Sequence, residues 1–218
     1  LYAARSAGDA TRIKTALVSR GITSVVTIGA IDVAITNALT SSKISVRNIS
    51  GISTADLSRK LAIDLNPTAA TGVVVVSESE PEAWTLATSV SARTGKPIVV
   101  VTEGAFTPEI SQWITTLSPA DIIMVGSAVE LPDNVVAGFA KASRLNTTDL
   151  PLASITALQF GGPLVRAIAT TSATSSVNQS VVAASLGLPV LYSSEDTVTD
   201  SINWLRRKSL VAAIVDVN

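Results

Sequence analysis

The stretch EPEAWTLATSVSARTGKPIVVV, residues 80–101, decides the fold because it describes a helix followed by a strand. Its apolar residues recur at helical spacing over residues 83–90, with Pro81 at a first-turn position and Gly95 as a stop signal. The IVVV run at residues 98–101 is typical of a strand that is covered on both faces. Another apolar run, GVVVVS at residues 72–77, precedes the helix, so the sequence predicts a strand–helix–strand unit.

The same alternation continues downstream of this unit. The sequence predicts a helix over Thr107–Leu117, a strand over Ile122–Gly126 and a helix over Leu131–Ala142, the last with a proline near its start. Strands that alternate with helices of this length favour a parallel sheet with helices on both faces. We therefore predict an α/β protein made of small, doubly wound parallel sheets.

The composition excludes several classes of function. The 218 residues are 47% hydrophobic and 15% charged, and the formal net charge is −1, so no basic surface for nucleic acid is expected. His and Cys are both absent, which excludes thiol nucleophiles, disulfides, catalytic triads that contain His and the usual zinc sites. No apolar run approaches the ~20 residues of a membrane helix. We expect no metal, no cofactor and no membrane span.

Internal repetition organises the chain. Thr94–Glu103 has a counterpart 92 residues later in Leu186–Glu195, and both contain a Gly-x-Pro step before an apolar run. Two further pairs of segments have nearly the same spacing, 91 residues for Glu109–Ile114 with Asp200–Leu205 and 93 residues for Ser53–Leu57 with Asn146–Leu150. We predict three tandem repeats: 1–46 as the second half of a first repeat, 47–143 as a complete repeat and 144–218 as a nearly complete third. The chain opens on Leu1 without a signal-peptide pattern, so we expect it to come from a larger or processed product.

Four segments of the middle repeat occur in a characteristic order: RNISG at residues 47–51, EAW at 82–84, TGKPIVVV at 94–101 and IIMVGS at 122–127. In this order they resemble the type 2 cell-wall-binding repeat of Gram-positive surface proteins, in which an Arg-Ile-Ser-Gly head precedes an Asp-Ala-Leu helix start, a Gly-x-Pro strand and a strand before two glycines. The resemblance implies three repeats packed with a pseudo-threefold arrangement. It also implies noncovalent attachment to wall polymers outside the cell, without catalysis.

Hydroxyl-rich segments follow the predicted strands and are candidate ligand sites. In open α/β sheets, ligands bind beyond the carboxyl ends of the strands, and neutral hydroxyls suit carbohydrate. The candidates are Ser77, Ser79, Thr102, Ser127, Thr170 and Thr171, together with Glu82, which stands where the resembled family has its aspartate. The alternative is that these loops are polar only because water solvates them.

Charged and aromatic groups also have two interpretations. Arg206 and Arg207 end a predicted helix, where cations suit the dipole, and they are also candidates for an anion-binding surface together with Arg5, Arg12, Lys14 and Arg20. Glu78, Glu80 and Glu82 are predicted to complement the positive end of the helix that follows, with an acid–base pair as the alternative. The tryptophans, Trp84, Trp113 and Trp204, are predicted to pack in the protein instead of stacking on sugar rings.

These observations predict a noncatalytic, extracellular module that attaches a surface protein to a wall polymer or glycan at the cell envelope. One alternative is a scaffold for another envelope protein, which would cover the apolar surface left by the incomplete first repeat. Another alternative is an α/β enzyme that uses the carboxylates of residues 78–82, which the absence of His and Cys disfavours.

Overall fold

The computed structural model describes residues 6–65, 71–139, 141–161, 167–170, 184, 188–192 and 214–216. The chain divides into two compact units, Leu1–Lys60 and Leu61–Asn218. The helices are α1 (Asp9–Val18), α2 (Val33–Thr40), α3 (Thr54–Leu65), α4 (Pro81–Thr94), α5 (Pro108–Leu117) and α6 (Leu150–Ala157). The strands are β1 (Ser24–Ile28), β2 (Ser45–Ile49), β3 (Gly72–Ser77), β4 (Ile98–Val101), β5 (Asp121–Val125), β6 (Lys141–Leu145), β7 (Ala167–Thr170), β8 (Val190–Tyr192) and β9 (Ile214–Asp216). None of the helices in the described ranges is both long and apolar enough to cross a bilayer.

The first unit contains a two-stranded parallel sheet and two helices that pack together. β1 and β2 pair from Ser24 with Ser45 to Ile28 with Ile49. Asp32 caps the start of α2: its carboxylate accepts a 2.8 Å hydrogen bond from the Ala34 N–H and so satisfies one free donor of the helix end. The core of this unit consists of apolar side chains from α1, α2 and the segment before β2: Ala10, Ile13, Leu17, Ile35, Leu39 and Ile44.

α3 carries an ion cluster in its first turns. The Asp56 carboxylate lies 2.9 Å from the Lys60 ammonium and 2.9 Å from the Arg59 guanidinium, and it accepts a 3.2 Å hydrogen bond from the Ile52 N–H. The hydrogen bonds from Lys60 and Arg59, together with that from Ile52, lower the pKa of Asp56 from 3.8 to about 2. An acidic residue near a helix start with basic partners one turn later stabilises the helix.

The second sheet is wholly parallel and has the strand order β4-β3-β5-β6. β3 lies inside it, and all six residues of GVVVVS are buried, which explains why this strand shows no alternation of polar and apolar residues. α4 leads from β3 to β4, and α5 then leads to β5 on the opposite side of β3. The predicted α/β class with parallel sheets and helices is confirmed.

α4 has the limits that the sequence predicts. Pro81 occupies the first turn, and Gly95 ends the helix with a φ of 69° and a 2.8 Å hydrogen bond from its N–H to the Ser91 carbonyl. The buried face of the helix includes Leu86 and Val90, which belong to one core with apolar side chains of β3, β4 and β5. Burying a side chain of this kind contributes about 1.5–3 kcal/mol, so this face holds α4 on the sheet.

The helix predicted over Leu131–Ala142 is wrong. Asp133–Val136 form a single 3₁₀ turn, and Lys141–Leu145 form β6, which pairs with β5. Gly138 has a φ of 88°, a left-handed conformation that interrupts a helix. β6 is the last strand in the order of its sheet, and its first three residues are exposed, so the sequence KASRL contains no apolar run that would have marked it as a strand.

The third sheet has the order β8-β7-β9 and is also parallel. Its order matches that of the first three strands of the second sheet, β4-β3-β5. β8 lies against helices of the second sheet, since the Val190 N–H donates to Ser89 Oγ at 3.2 Å and the Tyr192 N–H donates to Ser154 Oγ at 3.1 Å. The division into repeats 1–46, 47–143 and 144–218 stays a prediction, as does their pseudo-threefold packing.

Candidate functional site

The carboxyl ends of the second sheet gather four of the predicted site residues. Ser77 is the last residue of β3 and Ser79 lies two residues later, while Thr102 directly follows β4 and Ser127 lies two residues after β5. Because these strands are parallel, their ends meet at one edge of the sheet, where ligands bind in open α/β folds. The structure therefore brings these four residues together, and their contact with a ligand stays a prediction.

The hydroxyls at this edge bond to the protein itself. Ser77 Oγ and Ser79 Oγ are 2.9 Å apart, and Ser79 Oγ donates to Glu130 Oε2 at 2.5 Å. Ser77 is fully buried, and its Oγ also accepts a 3.3 Å hydrogen bond from the Ser79 N–H. Thr102 Oγ1 donates to Glu78 Oε2 at 3.0 Å. A ligand at these hydroxyls would have to share or replace hydrogen bonds that already exist.

Glu80 joins the ends of three strands, a role that the sequence did not reveal. Its carboxylate accepts a 2.9 Å hydrogen bond from the Ser127 N–H, after β5, and another from the hydroxyl of Thr147, after β6. Thr147 is only 6% exposed, so this bond is shielded from water. We call Glu80, Ser127 and Thr147 the Glu80 cluster.

The helix-dipole interpretation was incomplete for Glu80. The residue stands at the N-cap position of α4, yet its side chain makes no cap hydrogen bond. It instead reaches across the sheet edge to Ser127 and Thr147. Sequence reasoning missed Thr147 because it did not identify β6, and without that strand nothing placed Thr147 at this edge.

Arg144 holds the loop that carries Ser127. Its guanidinium donates to the carbonyl oxygens of Gly126 at 2.9 Å, Ser127 at 3.2 Å and Leu131 at 2.5 Å. It also lies 2.6 Å from Asp133 Oδ1. Hydrogen bonds from a charged, planar donor to several carbonyls fix the path of the loop, and this directs the Ser127 N–H toward Glu80. No sequence pattern signalled this role, because Arg144 lies in β6, a strand without an apolar run.

Gly126 allows the loop to approach Glu80 closely. Its φ is 154°, and a β-carbon at this position would lie 2.9 Å from Glu80 Oε2 and 3.4 Å from Leu131 Cβ. Any larger residue would push against the carboxylate that the loop is there to meet. Gly126 therefore permits the close approach of the loop to Glu80 that the Glu80 cluster requires.

Glu82 and Trp84 lie in the first turns of α4. Glu82 is half-buried, and its backbone carbonyl accepts a 3.4 Å hydrogen bond from the Tyr192 hydroxyl. Trp84 packs against the core of the second sheet, and its indole N–H donates to the Ser77 carbonyl at 2.8 Å. The packing interpretation is confirmed for Trp84. Trp113 on α5 is half-buried.

The remaining predicted residues are only partly covered by the structure. Thr170 is the last residue of β7, and its side chain lies outside the described residues, as do Thr171, Trp204, Arg206 and Arg207. Of the basic residues predicted in the first unit, Arg12 forms a 2.8 Å ion pair with Asp9, and Arg20 donates to the Ala16 carbonyl at 3.0 Å. The anion-binding surface stays a prediction.

Three of the described carboxylates at this edge act as structural acceptors. Glu78, Glu80 and Glu130 each accept a hydrogen bond from a hydroxyl of the protein. In the described part of the chain, no group of three or more acidic side chains is arranged to hold a metal ion. The arrangement is therefore suited to fixing the shape of the loops and to offering polar groups at their margin.

No model of a known protein family and no curated protein sequence matches the chain. Among solved structures it is similar to two cell-wall proteins of Clostridium difficile. The similarity to Cwp6 has a TM-score of 0.71 at 15% identity and covers 93% of this chain and 34% of that one. The similarity to Cwp8 has a TM-score of 0.68 at 16% identity and covers 90% of this chain and 36% of that one. The chain thus spans about a third of the length of these structures, and at this identity the likeness shows a shared α/β fold.

Proposed function

We propose that this chain is a noncatalytic, extracellular module that associates with the cell wall and attaches a longer surface protein to a wall polymer. The observation that carries the proposal is the likeness in fold to Cwp6 over 93% of the chain and to Cwp8 over 90% of it. The hydroxyls of Ser and Thr residues at the strand ends are compatible with a polymer that contains sugars, which would share or replace their hydrogen bonds within the protein. Several weak contacts along one chain would give firm attachment through avidity.

The charge at the carboxyl ends of the second sheet favours an uncharged part of the polymer there. Glu78, Glu80, Glu103 and Glu130 all lie in segments that follow β3, β4 and β5. These carboxylates would repel phosphate or uronate groups, and the repulsion would be strongest at low ionic strength. If the polymer also carries anionic groups, Arg206 and Arg207 are the residues proposed to meet them.

The test is retention of the purified chain on cell-wall sacculi. The sacculi are used intact and after hydrofluoric-acid removal of secondary polymers, each at two salt concentrations. We expect retention on intact sacculi that is lost after stripping. A salt-dependent part of the retention should disappear when Arg206 and Arg207 are both replaced by Gln. Absence of retention on both materials would refute the attachment function.

A second candidate function, a scaffold for another envelope protein, is supported by one face of the first unit. Val26 and Ile28 on β1 are 44% and 46% exposed. β1 and β5 are each followed by a glycine, Gly29 and Gly126, and aligning these glycines matches Val26 and Ile28 with Ile123 and Val125. Ile123 and Val125 are only 1% and 0% exposed. Apolar strand positions that are covered in one sheet and open in the other mark a surface for a protein partner.

The two functions are separated by the material that retains the chain. Attachment to a polymer predicts retention that survives protease treatment of the envelope and is lost on acid stripping. A protein scaffold predicts retention that is lost after protease treatment and survives acid stripping. It also predicts loss of retention in the Val26→Asp, Ile28→Asp double variant. If the double variant is retained like the wild type on untreated envelopes, the scaffold function is refuted.

A further inference from the structure

A depression of about 300 Å³ lies in the second unit, among segments that follow the carboxyl ends of β4 and β5. It is formed by the loop that follows β4 and by the connection that follows β5. The two segments meet where Gly104, with a φ of 67°, approaches Pro132, since a β-carbon on Gly104 would lie 3.4 Å from Pro132 Cδ. This volume is at the lower end of the range of about 300–1,000 Å³ for small-molecule sites.

Two phenylalanines belong to the lining of this depression, whose exposed surface is mainly polar. Phe106 comes from the loop after β4 and Phe139 from the end of the connection after β5, and both are half-buried. Their ring centroids are 6.0 Å apart and the ring planes meet at 82°, an edge-to-face arrangement. The pair joins the two segments and forms part of the wall of the depression.

The polar groups of the depression are neutral. Ser111 contributes a hydroxyl from the first turns of α5, and Asn134 contributes an exposed amide, whereas no lining residue is charged. Glu103, the chain neighbour of Gly104, adds negative charge next to it, whereas the charge of Asp133 is paired with Arg144. An anionic ligand would therefore meet repulsion without a compensating cation in the lining.

We propose that this depression, the Phe106–Phe139 pocket, binds one uncharged sugar residue of the wall polymer. The hydroxyls of a sugar ring suit the mainly polar lining, which includes the Ser111 hydroxyl and the Asn134 amide, and its small apolar face suits the walls formed by Phe106 and Phe139. The hydroxyls of the neighbouring strand ends are already bonded within the protein, so the pocket is the open part of this edge. The proposal rests on the proposed function, because it names the part of the polymer that this edge contacts.

The pocket is tested by filling it instead of removing its aromatic rings. Ala137 lines the pocket, is exposed and has ordinary backbone angles (φ −59°, ψ 128°), so Ala137→Trp should fold and occlude the space. Ala120 is an exposed alanine at the amino end of β5, on the opposite edge of the sheet, and Ala120→Trp is the matched control. Thermal unfolding of both variants checks that the fold is retained.

The first measurement is a titration of the ¹⁵N-labelled chain with N-acetylglucosamine, followed by NMR. We expect shifts at the amides of Gly104 and Ala105 and at the side-chain amide of Asn134, with affinity at least about tenfold weaker in Ala137→Trp and unchanged in Ala120→Trp. Glucuronic acid, which carries a carboxylate, should bind more weakly than the neutral sugar. Saturating N-acetylglucosamine without shifts at these groups, or equal affinity in the two variants, would overturn the pocket.

The second measurement repeats the sacculus assay with the two variants, which separates the pocket from the function it rests on. Reduced retention of Ala137→Trp alone supports both. Wild-type retention that Ala137→Trp leaves unchanged overturns the pocket while attachment stands. Loss of retention in the wild type itself refutes attachment, and with it the assignment of the pocket to a wall polymer.

Discussion

Replacement of Glu80 by Ala should destabilise the second unit at the point where three strands end. The carboxylate accepts a 2.9 Å hydrogen bond from the Ser127 N–H and another from the hydroxyl of Thr147, which is buried. A hydrogen bond to a charged group contributes about 1.5–3 kcal/mol, and a buried donor left without a partner adds a desolvation cost. Allowing for relaxation of the loop, we expect the free energy of unfolding to fall by about 2–4 kcal/mol.

Urea unfolding followed by tryptophan fluorescence measures this loss, because all three tryptophans belong to residues 61–218. Glu80→Gln should cost only about 1 kcal/mol, since its amide oxygen still accepts a hydrogen bond. Glu78→Ala is the matched control: Glu78 is exposed and accepts one hydrogen bond from Thr102, so its loss should cost less than about 0.5 kcal/mol.

A double-mutant cycle tests the assigned contact directly. Glu80→Ala and Thr147→Val should show a coupling energy of about 1 kcal/mol or more, because each removes the same hydrogen bond. If Glu80→Ala unfolds with the same free energy as Glu78→Ala, or if the cycle shows no coupling, the role of Glu80 as a tie between strand ends is refuted.

Three further predictions follow from other contacts. Gly126→Ala should cost about 1–3 kcal/mol, because a φ of 154° strains any residue with a β-carbon and that carbon, 2.9 Å from Glu80 Oε2, would displace the carboxylate; an unchanged urea midpoint would contradict this. Tyr192→Ala should cost about 3–5 kcal/mol, since Tyr192 is 3% exposed in the core that α4 forms with the second sheet. Tyr192→Phe should cost at most about 1 kcal/mol, because the hydrogen bond of its hydroxyl is long at 3.4 Å, and equal costs of the two variants would contradict the packing role. Asp56 has its pKa lowered to about 2, chiefly by Lys60, so its stabilisation is present above the ordinary value of 3.8 and is lost as the pH falls toward 2. The stability difference between wild type and Asp56→Asn, measured by urea unfolding at several pH values, should therefore shrink over that interval, and a difference that is independent of pH would contradict the ion cluster.

The sequence by itself determined the elements that depend on neighbouring residues. The limits of α4 follow from Pro81, Gly95 and the helical spacing between them, and the buried run of β3 identifies a strand covered on both faces. Once α/β alternation is recognised, parallel strands follow, and this is why Ser77, Thr102 and Ser127 were placed at one edge.

Only the tertiary structure decided which side chains meet at that edge. Glu80 and Thr147 are 67 residues apart in the chain, and Ser79 and Glu130 are 51 apart. Their pairing depends on the strand order β4-β3-β5-β6 and on the loop that Arg144 holds. No local pattern contains that information. The edge strand β6 could not be predicted from its sequence either, because it forms a strand by pairing with β5 and has no apolar run of its own.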